Sequence, residues 1–347
     1  MTGFQGALTA VHDETFGSWM YRCSMSKNYQ AVGLNVIESK PNWRWAGGRV
    51  ETDDIDFDER LESVRNSLLK LGLGNRFCQR LFFEARSEPV DWRCRWFFCA
   101  ECLKDDVADR RLPAWRKSWC YKTSIYCMTH RCKLSRFTGD LGHGKAWDAF
   151  VQICSLGACS DSVPLDNSSR FELLCYRRVV ERLRHLIKVN ENDDELILFN
   201  KLYRIFLHSP FRGSQGGAAR VLFEKKQFKK MESHDFLESL THGADEAGIA
   251  SRHASFMLSA ALLDMLPKKM LCMLGDYHSR RNQLWPIPPK SSGDLFLADV
   301  DQGGFGILHS YLGGFSRDRW PMLDLFLAFE EKRFDRYGIA SGARFGV

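Results

Sequence analysis

Apolar residues recur three and four positions apart through most of this chain, a period that predicts helices rather than strands. Phe16, Trp19, Met20 and Cys23 follow Asp13-Glu14-Thr15, which supplies N-cap chemistry, so a helix is expected over about 14–27. Leu61, Val64, Leu68 and Leu69 mark a second helix over 57–71. After the turn Gly72-Leu73-Gly74, Cys78, Leu81, Phe82 and Phe83 mark a third over 76–85. Helix, short glycine turn, helix is the grammar of a helix-turn-helix, and equally of any helical hairpin. Residues 40–55, with Pro41, the pair Gly47-Gly48 and several acids, read as a loop.

Beyond about residue 145 the same period dominates. Helices are expected over 171–189 and from Asp193-Asp194 to near Leu207, where acids suit a helix N-terminus. More follow in 234–266, where Ala244-x3-Gly248 has the spacing of a helix-turn-helix turn, and over 322–334. The fold class expected is mainly α: helix-turn-helix-like hairpins with an inserted zinc-ribbon-like knuckle, then a helical C-terminal domain. The boundary is placed between residues 144 and 145.

The knuckle is where composition changes the picture. Of the twelve cysteines among 347 residues, six fall within 90–137, together with four of the ten tryptophans. That window holds eleven Lys/Arg against five Asp/Glu, an excess equal to the net +6 of the whole chain. A segment this short and this poor in apolar periodicity needs ligand–metal bonds in place of a core. The opening MTGFQGALTAVHDE has no apolar signal run, and the most apolar stretch is too short to span a bilayer. A reduced, cytoplasmic setting is therefore expected, in which clustered cysteines hold metal more often than they form disulfides.

The ligands proposed by spacing are Cys99 and Cys102, then Cys127 and His130. A two-residue spacer lets both donors of a pair face one ion, and two pairs close a tetrahedral site suited to a structural Zn²⁺. Cys94, Cys120 and Cys132 are spare thiols able to replace one of the four. A closed site offers no position for a reactive water, and no H-E-x-x-H, Walker A, G-x-S-x-G or deaminase signature appears, so no enzymatic activity is expected. His143 in LGHGK reads as a surface residue, and the acidic run from Asp53 to Glu59 as a solvated helix start. Between the ligand pairs, Trp115 and Trp119 are expected on one helical face as core. Arg110, Arg111, Arg116 and Lys117, with Lys122, would then project outward as candidate phosphate contacts.

Four short motifs in order make residues 12–137 resemble the TniQ/TnsD family of transposition target-selection proteins. The family's opening D-E-S-x-x-S-W-L-x-R is matched by Asp13-Glu14-Thr15-Phe16-Gly17-Ser18-Trp19-Met20-Tyr21-Arg22. Its C-P-x-C-L-x-x-D is matched by Cys99-Ala100-Glu101-Cys102-Leu103 with Asp106. Its W-R-x-x-W and C-x-x-H-x-x-x-L are matched by Trp115-Arg116 with Trp119, and by Cys127-Met128-Thr129-His130 with Leu134. Ala100 replaces the usual proline, Thr15 the usual serine, and the second Cys-x-x-Cys pair that often follows the leucine is missing. The resemblance implies a non-catalytic component that binds target DNA or a target-recognition complex and recruits a transposase and an AAA+ regulator. In some members the target complex is a CRISPR effector ribonucleoprotein. The residues themselves leave a homodimer open and do not assign the oligomeric state, and no membrane partner is expected. The alternative reading of the residues is a zinc-stabilised helix-turn-helix transcriptional regulator.

Overall fold

A computed structural model describes residues 8–26, 43–46, 49–52, 54–58, 81–82, 87–155, 167–190, 193–211, 216–223, 235–280, 310–315 and 317–336. The chain is mainly α-helical with a few short strands, and it divides into two compact units, Met1–Pro164 and Leu165–Val347. The division falls later than residue 144 because the helix Lys145–Ser155 packs against the metal-ligand segment. Apart from residues 57–58 and 81–82, the helices expected over 57–71 and 76–85 lie outside the described residues.

In the first unit, α1 spans Phe16–Ser24 and buries Phe16, Trp19, Met20 and Cys23. It is shorter than expected because Thr15 is the cap, its hydroxyl accepting from Ser18 N at 3.4 Å. Asp13 instead has φ 62° and accepts from Ser118 N at 2.9 Å. Phe16 and Trp19 close on Phe82, with ring centroids 5.4 and 5.1 Å away.

The expected loop at 40–55 contains an antiparallel pair, β1 (Trp43–Ala46) and β2 (Arg49–Thr52), in register Trp43↔Thr52 to Ala46↔Arg49. Aromatic and β-branched residues flank a Gly-Gly pair, which is a hairpin signal in its own right.

A small module follows. Strand β3 (Phe97–Phe98) leads into helix α2 (Ala100–Ala108). A hairpin of β4 (Tyr126–Cys127) and β5 (Cys132–Lys133) comes next, and β6 (Ser135–Arg136) returns to pair with β3. Helix α3 (Lys145–Ser155) completes the unit.

Trp115 and Trp119 do share the core, with rings edge to face at 5.4 Å, but not through a helix. Residues 111–115 carry no helical assignment, and only Lys117–Trp119 form a 3-10 turn. Pairing with the N-terminal segment takes the backbone groups a helix would use. Thr15 N donates to Trp115 O at 2.9 Å, Lys117 N to Asp13 O at 2.7 Å, and Trp115 N to Ser18 Oγ at 2.9 Å.

The acidic run is not a solvated cap. Asp56 is buried, accepts from Gly17 N at 2.7 Å and faces the buried Arg95, which also pairs with Asp54. Desolvation pushes the Asp56 carboxyl up, against the pull of Arg95. His143 is likewise interior, its ring 5.0 Å from Trp92, and desolvation lowers its pKa to about 4. Lys145 is buried between Trp92 and Trp115, its ammonium 4.0 and 4.6 Å from the ring centroids.

The second unit contains α4 (Asn167–Val189), α5 (Asp194–Ile205), α6 (Ala218–Phe223), α7 (Phe236–Glu246), α8 (Ile249–Leu262), α9 (Lys268–Arg280) and α10 (Pro321–Arg336). Asp193 and Asp235 cap α5 and α7, accepting from Glu195 N at 2.8 Å and Glu238 N at 2.7 Å. The axis of the unit is α8, which packs against α5, α6 and α10 and is buried at every position from Ser251 to Leu262. Small residues allow this closeness: Ser255 Oγ donates to Tyr203 O of α5 at 2.7 Å.

The hairpin read from Ala244-x3-Gly248 exists, as α7, Ala247-Gly248 and α8. Arg252, fully buried, reaches back to the last carbonyls of α7, Asp245 O at 3.1 Å and Ala247 O at 3.0 Å. A DNA-reading helix must present side chains to a groove. The buried face of α8 is instead the unit's core, so this hairpin is a packing element.

His208 follows α5 in the same core, donating from Nδ1 to Ser209 O at 3.0 Å between Phe211 and Phe236. Desolvation lowers its pKa to about 4. A base whose folded pKa lies below its unfolded value of about 6.5 contributes stability above that value, lost as pH falls towards 4. His208→Gln keeps a donor for Ser209 and is expected to flatten the loss of urea stability between about pH 6.5 and 4 by up to about 3 kcal/mol. Identical pH profiles for the two proteins would contradict this.

Candidate metal centre

Cys99 is the residue before α2, and its carbonyl accepts from Leu103 N at 3.3 Å, so the first turn of the helix carries Cys102 back towards Cys99. The second pair comes from the β4–β5 hairpin. There Cys127 is directly opposite Cys132, and Arg131, at φ 56°, turns the chain so that His130 points inward.

The four donors predicted by spacing converge. One ligand atom from each of Cys99, Cys102, Cys127 and His130 lies within 4.8 Å of every other. His130 Nδ1 is 3.5, 3.2 and 3.6 Å from the sulfurs of Cys99, Cys102 and Cys127, and the Cys102 and Cys127 sulfurs are 3.6 Å apart. A tetrahedral ion with M–S of about 2.3 Å and M–N of about 2.0 Å requires donor separations of about 3.5–3.8 Å. The three cysteines are buried, as a closed site demands. The donor set fits one metal ion.

Around the donors is a supporting set the motif alone did not reveal. His130 Nε2 is 2.8 Å from Asp105 Oδ2, which orients the ring and leaves Nδ1 for the metal. Asp105 is three residues past Cys102 on α2, a spacing that places it on the same helix face. Cys132 Sγ is 3.6 Å from Cys99 Sγ, so of the spare thiols it is the one beside the centre. Cys120 is buried and donates to Arg116 O at 3.4 Å, which makes it a core residue. With sulfurs this close, hydrogen bonds from neighbouring thiols hold Cys127 far below the usual thiol range. The bond with Cys127 pushes Cys102 up to about 12. Three thiolates and a neutral imidazole together carry three negative charges, which a divalent cation offsets in large part.

The outward-facing cations need correction. Arg116 is buried and grips Asp106 with two bonds at 2.7 and 2.8 Å, while Asp106 also accepts from Ala114 N at 3.0 Å. Lys117 is buried, with Nζ on Leu81 O at 2.8 Å, and Lys122 is buried against Glu88 at 2.7 Å. All three are spent inside the module because burying a cation without a partner costs several kcal/mol. Arg110 and Arg111 are exposed, Arg111 leaning on Asp109.

The opening motif turns out to be a buried network. Glu14 accepts from Val11 N at 2.9 Å, Ser18 Oγ at 3.1 Å and Arg22 at 2.6 Å, and it forms a backbone bridge with Arg116. Burial lifts Glu14 to about 7 despite Arg22. Leu103, Trp115, Trp119 and Leu134 are all core.

No family model, no curated protein and no solved structure matches the chain.

Proposed function

We propose that this chain is a TniQ-like, non-catalytic component of a DNA-transposition targeting machinery, stabilised by one structural Zn²⁺ on Cys99, Cys102, Cys127 and His130. The observation that carries the reading is that four motifs separated in sequence are one physical object. Ser18 of the first motif accepts from Trp115 N of the third, and Arg116 of the third closes on Asp106 of the second. The second and last motifs supply the four donors. Three soft sulfurs and one imidazole favour zinc, and a closed tetrahedron supports folding rather than hydrolysis.

The role that fits is recruitment: the chain binds target DNA or a target complex and brings in an AAA+ regulator and a transposase. For the transcriptional regulator, the burial of α8 weighs against one of its two candidate reading modules. Among the described residues no helix is long and apolar enough to cross a membrane.

The test is co-expression with a transposase and an AAA+ transposition ATPase from the same genome, followed by affinity capture and metal analysis. The expected result is about one zinc per chain and capture of the AAA+ protein. Zinc-replete chain that captures neither partner overturns the reading.

A further inference from the structure

The exposed side of α4 carries a ladder of arginines that no part of the metal module explains. Arg170, Arg177 and Arg184 recur at seven-residue intervals, so they share one face and stand about 10.5 Å apart along it. Arg178 and Lys188 flank them, and all five are exposed. From Arg170 to Lys188 the ladder runs about 27 Å. The opposite side, with Leu173, Tyr176, Val179 and Leu183, is buried in the second unit.

Among the described residues little balances the charges on this face. Arg177 has Glu181 at 3.9 Å, the one acid on the ladder. Among the described residues Arg170, Arg178, Arg184 and Lys188 have no ion-pair partner. Arg182, by contrast, lies to one side and is taken by Glu195 at 2.6 Å. Solvated helix faces ordinarily interleave acids and bases four apart, because such pairs stabilise the helix and like pairs such as Arg184 and Lys188 weaken it. A like-charged ladder on a long helix has its counter-charge elsewhere.

We propose that this face of α4 binds the phosphodiester backbone of a nucleic-acid duplex. The guanidinium fork matches phosphate geometry, and evenly spaced forks on a straight rod suit a polymer of evenly spaced anions. Duplex DNA carries one charge per about 1.7 Å of axis, so the ladder faces on the order of sixteen charges along its length. Backbone contact of this kind positions the protein without reading bases. A lipid surface fits poorly, since among the described residues of α4 only Leu174 and Val189, at opposite ends of the ladder, are exposed large apolar side chains, and no exposed Phe, Tyr or Trp accompanies them.

The proposal rests on the DNA-binding part of the targeting reading, and its test separates the two. Fluorescence anisotropy of a labelled DNA duplex of about 30 base pairs is measured against salt for the full chain and for Arg170→Ala/Arg177→Ala/Arg184→Ala. The three residues are exposed, so the thermal midpoint is expected to hold. The variant is expected to bind at least about tenfold more weakly at about 50 mM salt, with the slope of log K against log salt reduced by about 2.7. Lys268→Ala/Lys269→Ala, at two exposed lysines that start α9, is the control and is expected to leave most of that slope. Equal affinity and slope for the triple variant overturns the proposal, as does binding of phosphatidylserine vesicles or polyglutamate as tight as binding of the duplex. Loss of a matched RNA duplex in parallel supports backbone recognition and names RNA as a second source of the phosphates. A chain that captures its transposition partners but binds no duplex overturns the α4 proposal alone. A chain that binds duplex through α4 and captures no partner upholds it and removes the targeting reading.

Discussion

Cys102→Ser is expected to strip the metal from the chain and unfold the module between residues 90 and 137. Cys102 is central to the donor set, 3.2 Å from the ligating nitrogen of His130 and 3.6 Å from the sulfur of Cys127. Around it the strands are only two residues long, so little hydrogen bonding survives if the ion leaves. Binding of structural zinc supplies on the order of 10–16 kcal/mol in small zinc-finger peptides, and in such modules this is folding free energy. Metal content should fall to background, and the emission of Trp115 and Trp119, now packed edge to face, should shift to the red. Full metal content with native emission would mean that these four residues do not hold the ion. The position of Cys132 refines the expectation for the imidazole. His130→Ala is expected to retain weakened metal binding through Cys132, and His130→Ala/Cys132→Ser to lose it altogether.

Asp106→Ala is expected to cost the first unit about 3–5 kcal/mol. The substitution takes both carboxylate bonds from the buried Arg116 guanidinium, leaving it the Ala114 O bond, the Trp119 ring and the longer-range pull of Glu14, and it also removes the acceptor of Ala114 N. Breaking one half of a buried pair is far more damaging than never having it, because the remaining charge stays desolvated. For a unit of this size the midpoint of thermal unfolding should drop on the order of 10 °C. Asp106→Leu/Arg116→Met, which removes both charges, should recover most of the loss. A single variant within about 1 kcal/mol of the parent would show that Arg116 finds another partner.

These two residues also explain what the motif reading could and could not see. Cys-x2-Cys and Cys-x2-His are local patterns whose spacing alone fixes which way the donors point, so all four ligands were legible in the sequence. Arg116, Lys117 and Lys122 were misread as solvent-facing because their partners are distant in the chain: Asp106, the carbonyl of Leu81 and Glu88. The same distance hid the roles of Asp54 and Asp56, which look like a solvated acidic run until Arg95 is seen between them. His143 looked exposed in a glycine-rich loop, yet the close approach of Gly17, where a Cβ would stand 2.6 Å from its Nδ1, places it in the interior. On α4 the seven-residue arginine spacing was present all along. It became a surface only when burial assigned the other side of the helix to the core.

Helix period, caps and donor spacing act over a few residues, and the amino-acid sequence determined them: a mainly helical chain with Thr15, Asp193 and Asp235 near helix starts, and a cluster of four donors able to hold a metal ion. Tertiary structure decided which charges are buried, that Trp115 and Trp119 meet without a helix, and that α8 is core and not a reading head. The physical reason is that backbone geometry is set by near neighbours. Desolvation and ion pairing are set by whatever the fold brings alongside, and no local pattern records that.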